Sequence, residues 1–285
     1  MIKFTRFPVH WLKFSLVSGG LLLAGCFSSD FSPSYKEADI PGTIKKICLE
    51  EYKLKVVPAR VGDTLWIYAP QQRLLHAEFG KNPEKIFDEE LLDKARNILT
   101  SISRVLISSD KTPEFFVLVL TDINIGLDYS LTVYLADIKK SAAGGIPWNE
   151  ANKRYVLGFE QTTSAIGDTT GKHLKLYDIK LPEFLSRQIV QRVRMLFQEE
   201  PVKNYFSLKD ASAGFQNNIF TFEYSMIKKA EPPKKLNISK DIYYSIVNCF
   251  KSYDFKDFLR VEIKDLLGDT SAVYESSDIL NRPIE

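Results

Sequence analysis

The feature of the sequence that most constrains the fold is an amphipathic stretch followed by an unbroken apolar one. Over residues 88–107, apolar side chains recur every three or four positions and form one continuous stripe along a predicted helix. Residues 115–120, FFVLVL, contain no polar side chain and predict a strand that is buried on both faces. Because the apolar stripe needs an apolar surface to pack on, we expect this helix to cover this strand.

Shorter patterns on both sides of this pair predict further elements. The predicted strands are 55–58, 65–69, 155–161, 174–179, 220–226, 259–264 and 272–274. Predicted helices begin near Thr43, Pro182 and Ser239, while residues 131–141 are compatible with either a helix or a strand. We therefore predict an α+β fold in which four or so helices pack on a mixed or antiparallel sheet.

The two ends of the chain share a pattern. Near the N-terminal end, a helix containing Cys48 is followed by a Gly-Asp-Thr turn at residues 62–64 and an aromatic strand. The C-terminal end shows the same order, with Cys249, a Gly-Asp-Thr turn at residues 268–270 and an aromatic strand. A duplicated helix-strand-strand unit would produce this pattern and would place both copies side by side in one sheet. The spacing from cysteine to glycine differs between the copies, so a chance resemblance is the alternative.

The N-terminal 25 residues have a basic start and an apolar core. Lys3, Arg6 and Lys13 are accompanied by no acidic residue, and residues 14–25 are apolar or small. This run is shorter than the ~20 residues that a membrane-spanning helix needs. The pattern is therefore typical of an export signal, with an uncleaved membrane anchor as the alternative.

Residues 23–26, Leu-Ala-Gly-Cys, resemble the lipobox of bacterial lipoprotein precursors, and the resemblance covers the signal alone. It implies cleavage before Cys26, a diacylglycerol thioether on this cysteine and acylation of the new amino terminus. Each buried methylene contributes about 0.8 kcal/mol to membrane binding, so two or three chains anchor a protein lastingly. An ordinary signal peptide with an incidental Cys26 is the other interpretation.

The residue after Cys26 bears on which membrane is reached. It is Phe27, whereas the resemblance associates an aspartate there with retention in the inner membrane. The sequence thus favours an outer-membrane anchor with the folded part facing the periplasm. The outer face of the cytoplasmic membrane is the alternative.

Composition and turn residues divide the chain into segments. We expect a signal at 1–25, a tether at 26–42, a main α+β domain at 43–229, a linker at 230–240 and a C-terminal helix-strand-strand unit at 241–285 packed on the same sheet. The tether mixes Ser, Pro and charged residues without periodicity. The linker is inferred from residues 230–239, AEPPKKLNIS.

The charge balance excludes one class of partner. Without residues 1–25, 35 Lys and Arg face 36 Asp and Glu, so the mature chain is nearly neutral. Since a nucleic-acid-binding protein needs a surplus of positive charge, we exclude this class. An apolar content of 45% with 26% charged residues indicates a packed globular protein.

Two cysteines remain in the mature chain after Cys26, namely Cys48 and Cys249. The compartment that the signal implies is oxidising and permits a disulfide between them. The alternative is two buried thiols on separate helices that act as small apolar side chains. The sequence is compatible with both.

No motif in the sequence predicts a metal site, a cofactor site or catalytic residues. The mature chain has two histidines, His76 and His173, and neither lies beside another typical metal ligand in the sequence. Residues 167–172, GDTTGK, match part of a phosphate-binding loop, but three residues instead of four separate the glycines, so we interpret them as a solvated hairpin loop. Residues 108–111, SSDK, contain Ser-x-x-Lys, and we interpret them as a polar helix cap.

Acidic and aromatic clusters have structural explanations as well. Residues 88–90, Asp-Glu-Glu, complement the dipole at the start of the long predicted helix. Trp66 and Tyr68 could form a platform for a sugar or a lipid, although packing in the core is the interpretation we prefer.

These observations favour a non-catalytic binding or scaffolding component of the envelope. The membrane, reached through acyl chains on Cys26, and other envelope proteins are the expected partners. The alternative from a different class is a periplasmic enzyme acting on an envelope polymer. A histidine with a perturbed pKa or clustered carboxylates in a cleft would favour the enzyme, whereas an uncovered sheet edge or an apolar groove would favour binding.

Overall fold

A computed structural model describes residues 34–76 and 86–281 of the chain. The signal, Cys26 and residues 27–33 of the tether lie outside the described residues. The described chain forms two compact units that divide between Asp178 and Ile179, each with its own sheet. The predicted α+β class is confirmed. Within these residues, no helix combines the length and the apolar composition that crossing a membrane requires.

The first unit contains a mixed sheet of five strands. Its helices are α1 (Ile40–Tyr52), α2 (Glu89–Ile107), α3 (Leu135–Ala142) and α4 (Trp148–Arg154), and its strands are β1 (Val57–Val61), β2 (Thr64–Gln71), β3 (Phe115–Asp122), β4 (Leu127–Tyr134) and β5 (Val156–Gln161). The strands lie in chain order. β2 and β3 are parallel and the other neighbours are antiparallel, so α2 is the crossover that a parallel pair requires.

The second unit contains a mixed sheet of four strands. Its helices are α5 (Leu181–Leu196), α6 (Val202–Tyr205), α7 (Ile238–Ser252) and α8 (Ser276–Leu280), and its strands are β6 (Phe206–Gln216), β7 (Ile219–Lys228), β8 (Arg260–Asp265) and β9 (Thr270–Glu275). These strands also lie in chain order. β7 and β8 are parallel, with α7 as their crossover, and both hairpins are antiparallel.

Both units follow the same succession of helix, hairpin, helix and hairpin. The similarity extends to detail, because Asp122 and Asp265 end the equivalent strands β3 and β8. Each carboxylate accepts the N–H groups two and three residues further along, at 3.1 and 3.3 Å after Asp122 and at 3.1 Å twice after Asp265. A helix-strand-strand element at each end of the chain is thus confirmed. Each unit contains this element twice, so the described chain contains it four times.

The structure corrects the predicted relation between the two ends. β1 and β2 lie in the first sheet and β8 and β9 in the second, so the two ends are not side by side in one sheet. The counterpart of α7-β8-β9 is α2-β3-β4, because each of these hairpins follows a crossover helix. The Gly-Asp-Thr turns at 62–64 and 268–270 therefore belong to hairpins, β1-β2 and β8-β9, that are not equivalent in the two units.

The predicted division of the chain also needs correction. Residues 230–237 connect β7 to α7 inside the second unit, so they do not link two domains. β8 pairs with β7, and residues 241–281 therefore belong to the same sheet as β6 and β7. The chain divides into two units at 178/179, whereas the crossover through α7 joins the segments on its two sides within the second unit.

The long helix and the apolar strand form as predicted. The buried apolar side chains of α2 and alternate side chains of β3 belong to one hydrophobic cluster, which also includes the buried residues of α1. Asp88 caps α2, since its Oδ1 accepts the N–H of Glu90 at 3.1 Å. α1 begins at Ile40, ahead of the predicted cap at Thr43, because Pro41 fits the first turn. Asn237 rather than Ser239 caps α7, accepting the N–H of Lys240 at 3.1 Å.

Several elements differ from the prediction, among them the short helices α4, α6 and α8, which were not predicted. Residues 174–179 form no strand, although their pattern suggested one. The 131–141 segment divides into the end of β4 and the helix α3. β6 was not predicted, because its sequence FSLKDASAGFQ is rich in small and polar residues, which edge strands tolerate.

Candidate functional site

Residues 162–178, which we call the covering segment, lie against one face of the first sheet. Apart from a short turn of 3-10 helix at Thr163–Ala165, this segment is irregular. Trp66 donates its indole N–H to the carbonyl of Tyr177 at 2.9 Å, and Asp178 accepts the N–H of Asp63 at 2.8 Å. The prediction for residues 167–172 is a solvated hairpin loop. Four of the six residues are exposed, as expected, but no strand follows them, so they do not form a hairpin.

Two glycines permit this close approach. Gly62 and Gly171 have positive φ angles of 57° and 76°, which residues with a side chain rarely adopt. A Cβ at position 62 would overlap the carboxylate of Asp178, and one at position 171 would lie 3.0 Å from Cγ of Tyr68. A side chain at either position would displace the covering segment.

The covering segment brings His173 into a buried cluster with two carboxylates. Its Nδ1 lies 2.7 Å from Oδ2 of Asp168, and its Nε2 lies 3.1 Å from Oδ2 of Asp128. Only 2% of the His173 side chain is exposed. Asp128 also accepts the hydroxyl of Thr121, and Tyr68 donates its hydroxyl to the carbonyl of Asp168. The cluster thus joins the covering segment to β2, β3 and β4.

The surroundings fix the charge of Asp168 and the protonation of Tyr68. Burial by itself would raise the pKa of Asp168, but hydrogen bonds from His173 and Thr170 outweigh burial and lower it. Burial, together with the nearby charges of Asp168 and Asp128, raises the pKa of Tyr68 to about 12. Tyr68 is therefore a neutral donor at physiological pH, and Asp168 is a carboxylate.

The occupancy of both His173 nitrogens determines what this cluster can do. A histidine that acts as a general base keeps one nitrogen free for the nucleophile or the substrate. In His173 each nitrogen faces a carboxylate and the ring is shielded from solvent, so the cluster is a structural link. Among the described residues, no group of three or more His, Cys, Asp or Glu side chains is arranged to hold a metal ion.

A cleft of about 750 Å³ lies in the first unit where β2 ends and α2 begins. Arg73, which lines it, donates to Oδ2 of Asp88 at 2.6 Å, and Lys94 lies 2.7 Å from Oε1 of Glu90. The hydrogen bond from Arg73 lowers the pKa of Asp88. Lys55 also lines the cleft, but two of its three cations are paired with carboxylates and Asp88 occupies the helix N-terminus, which disfavours binding of a phosphate or another anion.

In the part of the chain that the structure describes, β9 pairs with β8 on one side only, so it forms an uncovered edge of the second sheet. The N–H of Ser276 bonds to the carbonyl of Leu259, beside β8, at 2.9 Å. Residues of an antiparallel strand alternate between facing one neighbour and the other. The backbone groups of Ser271, Val273 and Glu275 therefore point away from β8.

β9 lacks the features that protect two of the other edges. Edge strand β1 contains Pro58, and edge strand β6 is irregular between Leu208 and Asp210. The sequence of β9, TSAVYE, has no proline and no basic residue, and its register with β8 is continuous. Val273 in its middle is 56% exposed. An edge with these properties is suited to pairing with another strand.

The remaining residues that the sequence singled out have structural positions. Cys48 and Cys249 are buried thiols in α1 and α7 that are not joined in a disulfide, which corresponds to the alternative without one. Burial raises the pKa of Cys48, and Cys249 donates to Oε1 of Gln188 at 3.0 Å. Trp66 and Tyr68 are 8% and 3% exposed, so they do not form an open platform.

Comparison of this chain with protein-family models, with curated proteins and with solved structures finds no match. Its function must be argued from its own residues.

Sequence reasoning missed the two features that now matter most. His173 and Asp128 are 45 positions apart, and no local pattern indicates that they meet. The edge position of β9 depends on strand order, which a single sequence does not specify. The absence of proline and basic residues from β9 was visible, but it acquires meaning only once β9 is known to be an edge.

Proposed function

We propose that this chain is an envelope lipoprotein that binds other proteins and catalyses no reaction. In this proposal it is anchored to the outer membrane through acyl chains on Cys26 and faces the periplasm. The anchor rests on residues 23–26, Leu-Ala-Gly-Cys, and on the basic and apolar residues before them. The binding role rests on one observation, the uncovered edge of β9.

A free edge supports binding through the main chain. A strand added to it gains a ladder of backbone hydrogen bonds, which supplies affinity, while neighbouring side chains supply specificity. Beside β9, the solvent-facing side of β8 carries Arg260, Glu262 and Lys264, and Oε1 of Glu262 lies 2.8 Å from an Arg260 nitrogen. An incoming strand would therefore meet charges of both signs next to the exposed Val273.

The alternative of a periplasmic enzyme finds less support. The feature that would favour it is a histidine or a group of carboxylates in a cleft. The histidine that is joined to two carboxylates, His173, is buried, and both of its nitrogens are occupied. The cleft beside α2 contains carboxylates, but Asp88 and Glu90 are paired there with Arg73 and Lys94.

Co-purification of the tagged, full-length chain from detergent-solubilised envelopes tests the binding role. The informative variant is V273P, which removes an N–H that points away from β8 and leaves the β8–β9 ladder intact. The control is V273T, which keeps this N–H. We expect the wild type and V273T to recover the same envelope protein, and V273P to recover at least tenfold less.

Two results would overturn the proposal. The first concerns binding: the wild type recovers no envelope protein, or V273P recovers as much as the wild type while circular dichroism shows that all variants are folded. The other concerns the anchor: mass spectrometry that finds the Met1 terminus intact, or an unmodified thiol at Cys26, would remove the basis for the envelope location.

A further inference from the structure

We infer that β9 pairs antiparallel with β9 of a second copy of this chain, about a twofold axis at Val273. This inference rests on the proposed binding role of the edge and names its partner. An edge that is paired with one strand cannot pair with another, so the protein that V273P fails to recover would be a second, untagged copy of this chain. It joins two four-stranded sheets into one of eight strands. The register follows from three properties of β9, namely its backbone, its helix-facing side chains and its solvent-facing side chains.

The backbone limits the axis to a few positions. Groups that point outward must meet outward-pointing groups, which an axis at any residue from Ser271 to Glu275 allows, because a twofold axis can pass through a bonded or a non-bonded pair. An axis at Ala272 would place Asp269 opposite Glu275, and an axis at Tyr274 would place Val273 opposite Glu275, so neither gives favourable cross-strand pairs. An axis at Glu275 would place this carboxylate opposite itself, which is destabilising. An axis at Ser271 would leave Val273 opposite the turn residue Asp269. With the axis at Val273, the two valines meet and Ser271 faces Glu275, which gives three bonded pairs and about six hydrogen bonds.

The helix-facing side chains form a continuous apolar row in this register. Ala272 faces Tyr274 of the second copy. Within each chain, Ala272 is paired with Ile263 on β8, and Tyr274 is paired with Val261. The row across the junction therefore contains only apolar and aromatic side chains. Tyr274 is already held in place, because its ring centroid lies 4.2 Å from that of Tyr243 in α7.

The solvent-facing side chains bring opposite charges together. Within one chain Ser271 is paired with Lys264, and Glu275 is paired with Arg260. Across the junction, Glu275 of the second copy follows Ser271 in the same row. Each row across the junction therefore runs from Arg260 and Glu275 of one chain to Ser271 and Lys264 of the other. No like charges are directly opposite each other.

Two further observations favour a second copy as the occupant. Val273 is 56% exposed in the single chain, and pairing would cover it with an identical apolar side chain. The mature chain carries 35 Lys and Arg against 36 Asp and Glu, so long-range repulsion between copies is small.

Cysteine cross-linking of the full-length chain in detergent tests the register. In bonded antiparallel pairs the Cα atoms are about 5.5 Å apart, which a disulfide can span. Under mild oxidation we expect V273C to form a covalent dimer on a non-reducing gel. S271C is the matched control: its two copies would lie about 13 Å apart, so we expect at least tenfold less dimer. A mixture of S271C and E275C should cross-link again.

The outcomes separate this inference from the proposed function. Equal cross-linking of S271C and V273C, or no dimer from V273C, overturns the self-pairing. If V273C forms no dimer while V273P still loses its envelope protein, the edge binds a different chain and the proposed function stands. If V273C cross-links while V273P keeps its envelope protein, the self-pairing stands, and the edge is not the site for other envelope proteins.

Discussion

The two units share one succession of elements, yet their sheets are buried differently. In the first unit all eight residues of β3 are buried, so this strand has apolar surroundings on both faces. In the second unit β8 alternates between buried and half-exposed residues along its whole length. One face of the second sheet packs on helices, where the ring of Phe220 lies 5.1 Å from that of Phe250, and the other face meets solvent.

This difference shows which unit is suited to binding through its sheet. A strand that is buried on both faces contributes to stability, and its surroundings leave no room for a partner. An alternating strand needs one covered face and leaves the other face available. The same topology can therefore serve as a stable scaffold in one unit and offer an open sheet with a free edge in the other.

The largest expected effects come from replacing neighbouring core residues of β3. Phe115 and Phe116 point to opposite faces, and both are fully buried. We expect F115A and F116A each to lower the free energy of unfolding by about 3–5 kcal/mol, because each leaves a cavity. Denaturant titration of the mature chain measures this. A loss below 1 kcal/mol for either variant would mean that one face of this strand is open.

The next effect concerns the link between the covering segment and the sheet. H173A leaves the buried carboxylates of Asp128 and Asp168 without their shared partner, so we expect a loss of about 3 kcal/mol. The double variant H173A/D128A should lose less than the sum of the two single variants, since it removes one of the stranded charges. Additive losses would show that the two side chains do not interact.

The pH dependence of stability tests the same cluster through a smaller effect, whose direction is predicted. The pKa of Asp168 is lower in the folded chain than in the unfolded one, so its charge stabilises the fold above an unfolded pKa of about 3.9. This contribution is lost as the pH falls through the lower, folded pKa. Since D168N cannot ionise, we expect it to cost about 1.5–3 kcal/mol at pH 7, and less as the pH falls below ~4. Unfolding curves at several pH values measure this, and a difference that does not change with pH would contradict it.

The smallest effect is expected on the open face of the second sheet. Thr221 and Phe222 are neighbours on β7, but Phe222 is fully buried and Thr221 is not. We expect T221A to change the free energy of unfolding by less than ~0.5 kcal/mol, while F222A lowers it by about 3–5 kcal/mol. Denaturant titration of both variants checks this. A large loss for T221A would indicate that something covers this face.

The success of the sequence predictions followed the range of the interactions involved. The stripe of α2, the apolar run of β3 and the alternation of β7 and β8 are local, and all of these elements formed as predicted. The strand expected at 174–179 failed because Trp66 and Asp63 hold that segment through side-chain contacts that a strand pattern does not encode. The boundary expected at 230–240 failed because prolines and polar residues mark a connection equally well inside a unit and between two.

The sequence by itself determined the α+β class, the positions of the main helices and strands, and the amphipathic character that separates the first sheet from the second. These properties depend on periodicity, which is a matter of neighbouring residues. Tertiary structure alone decided which strands became edges, how the chain divides, and that His173 meets Asp128 and Asp168. These outcomes depend on packing between residues far apart in the chain, where many arrangements fit the same local pattern and only their combined energy selects one.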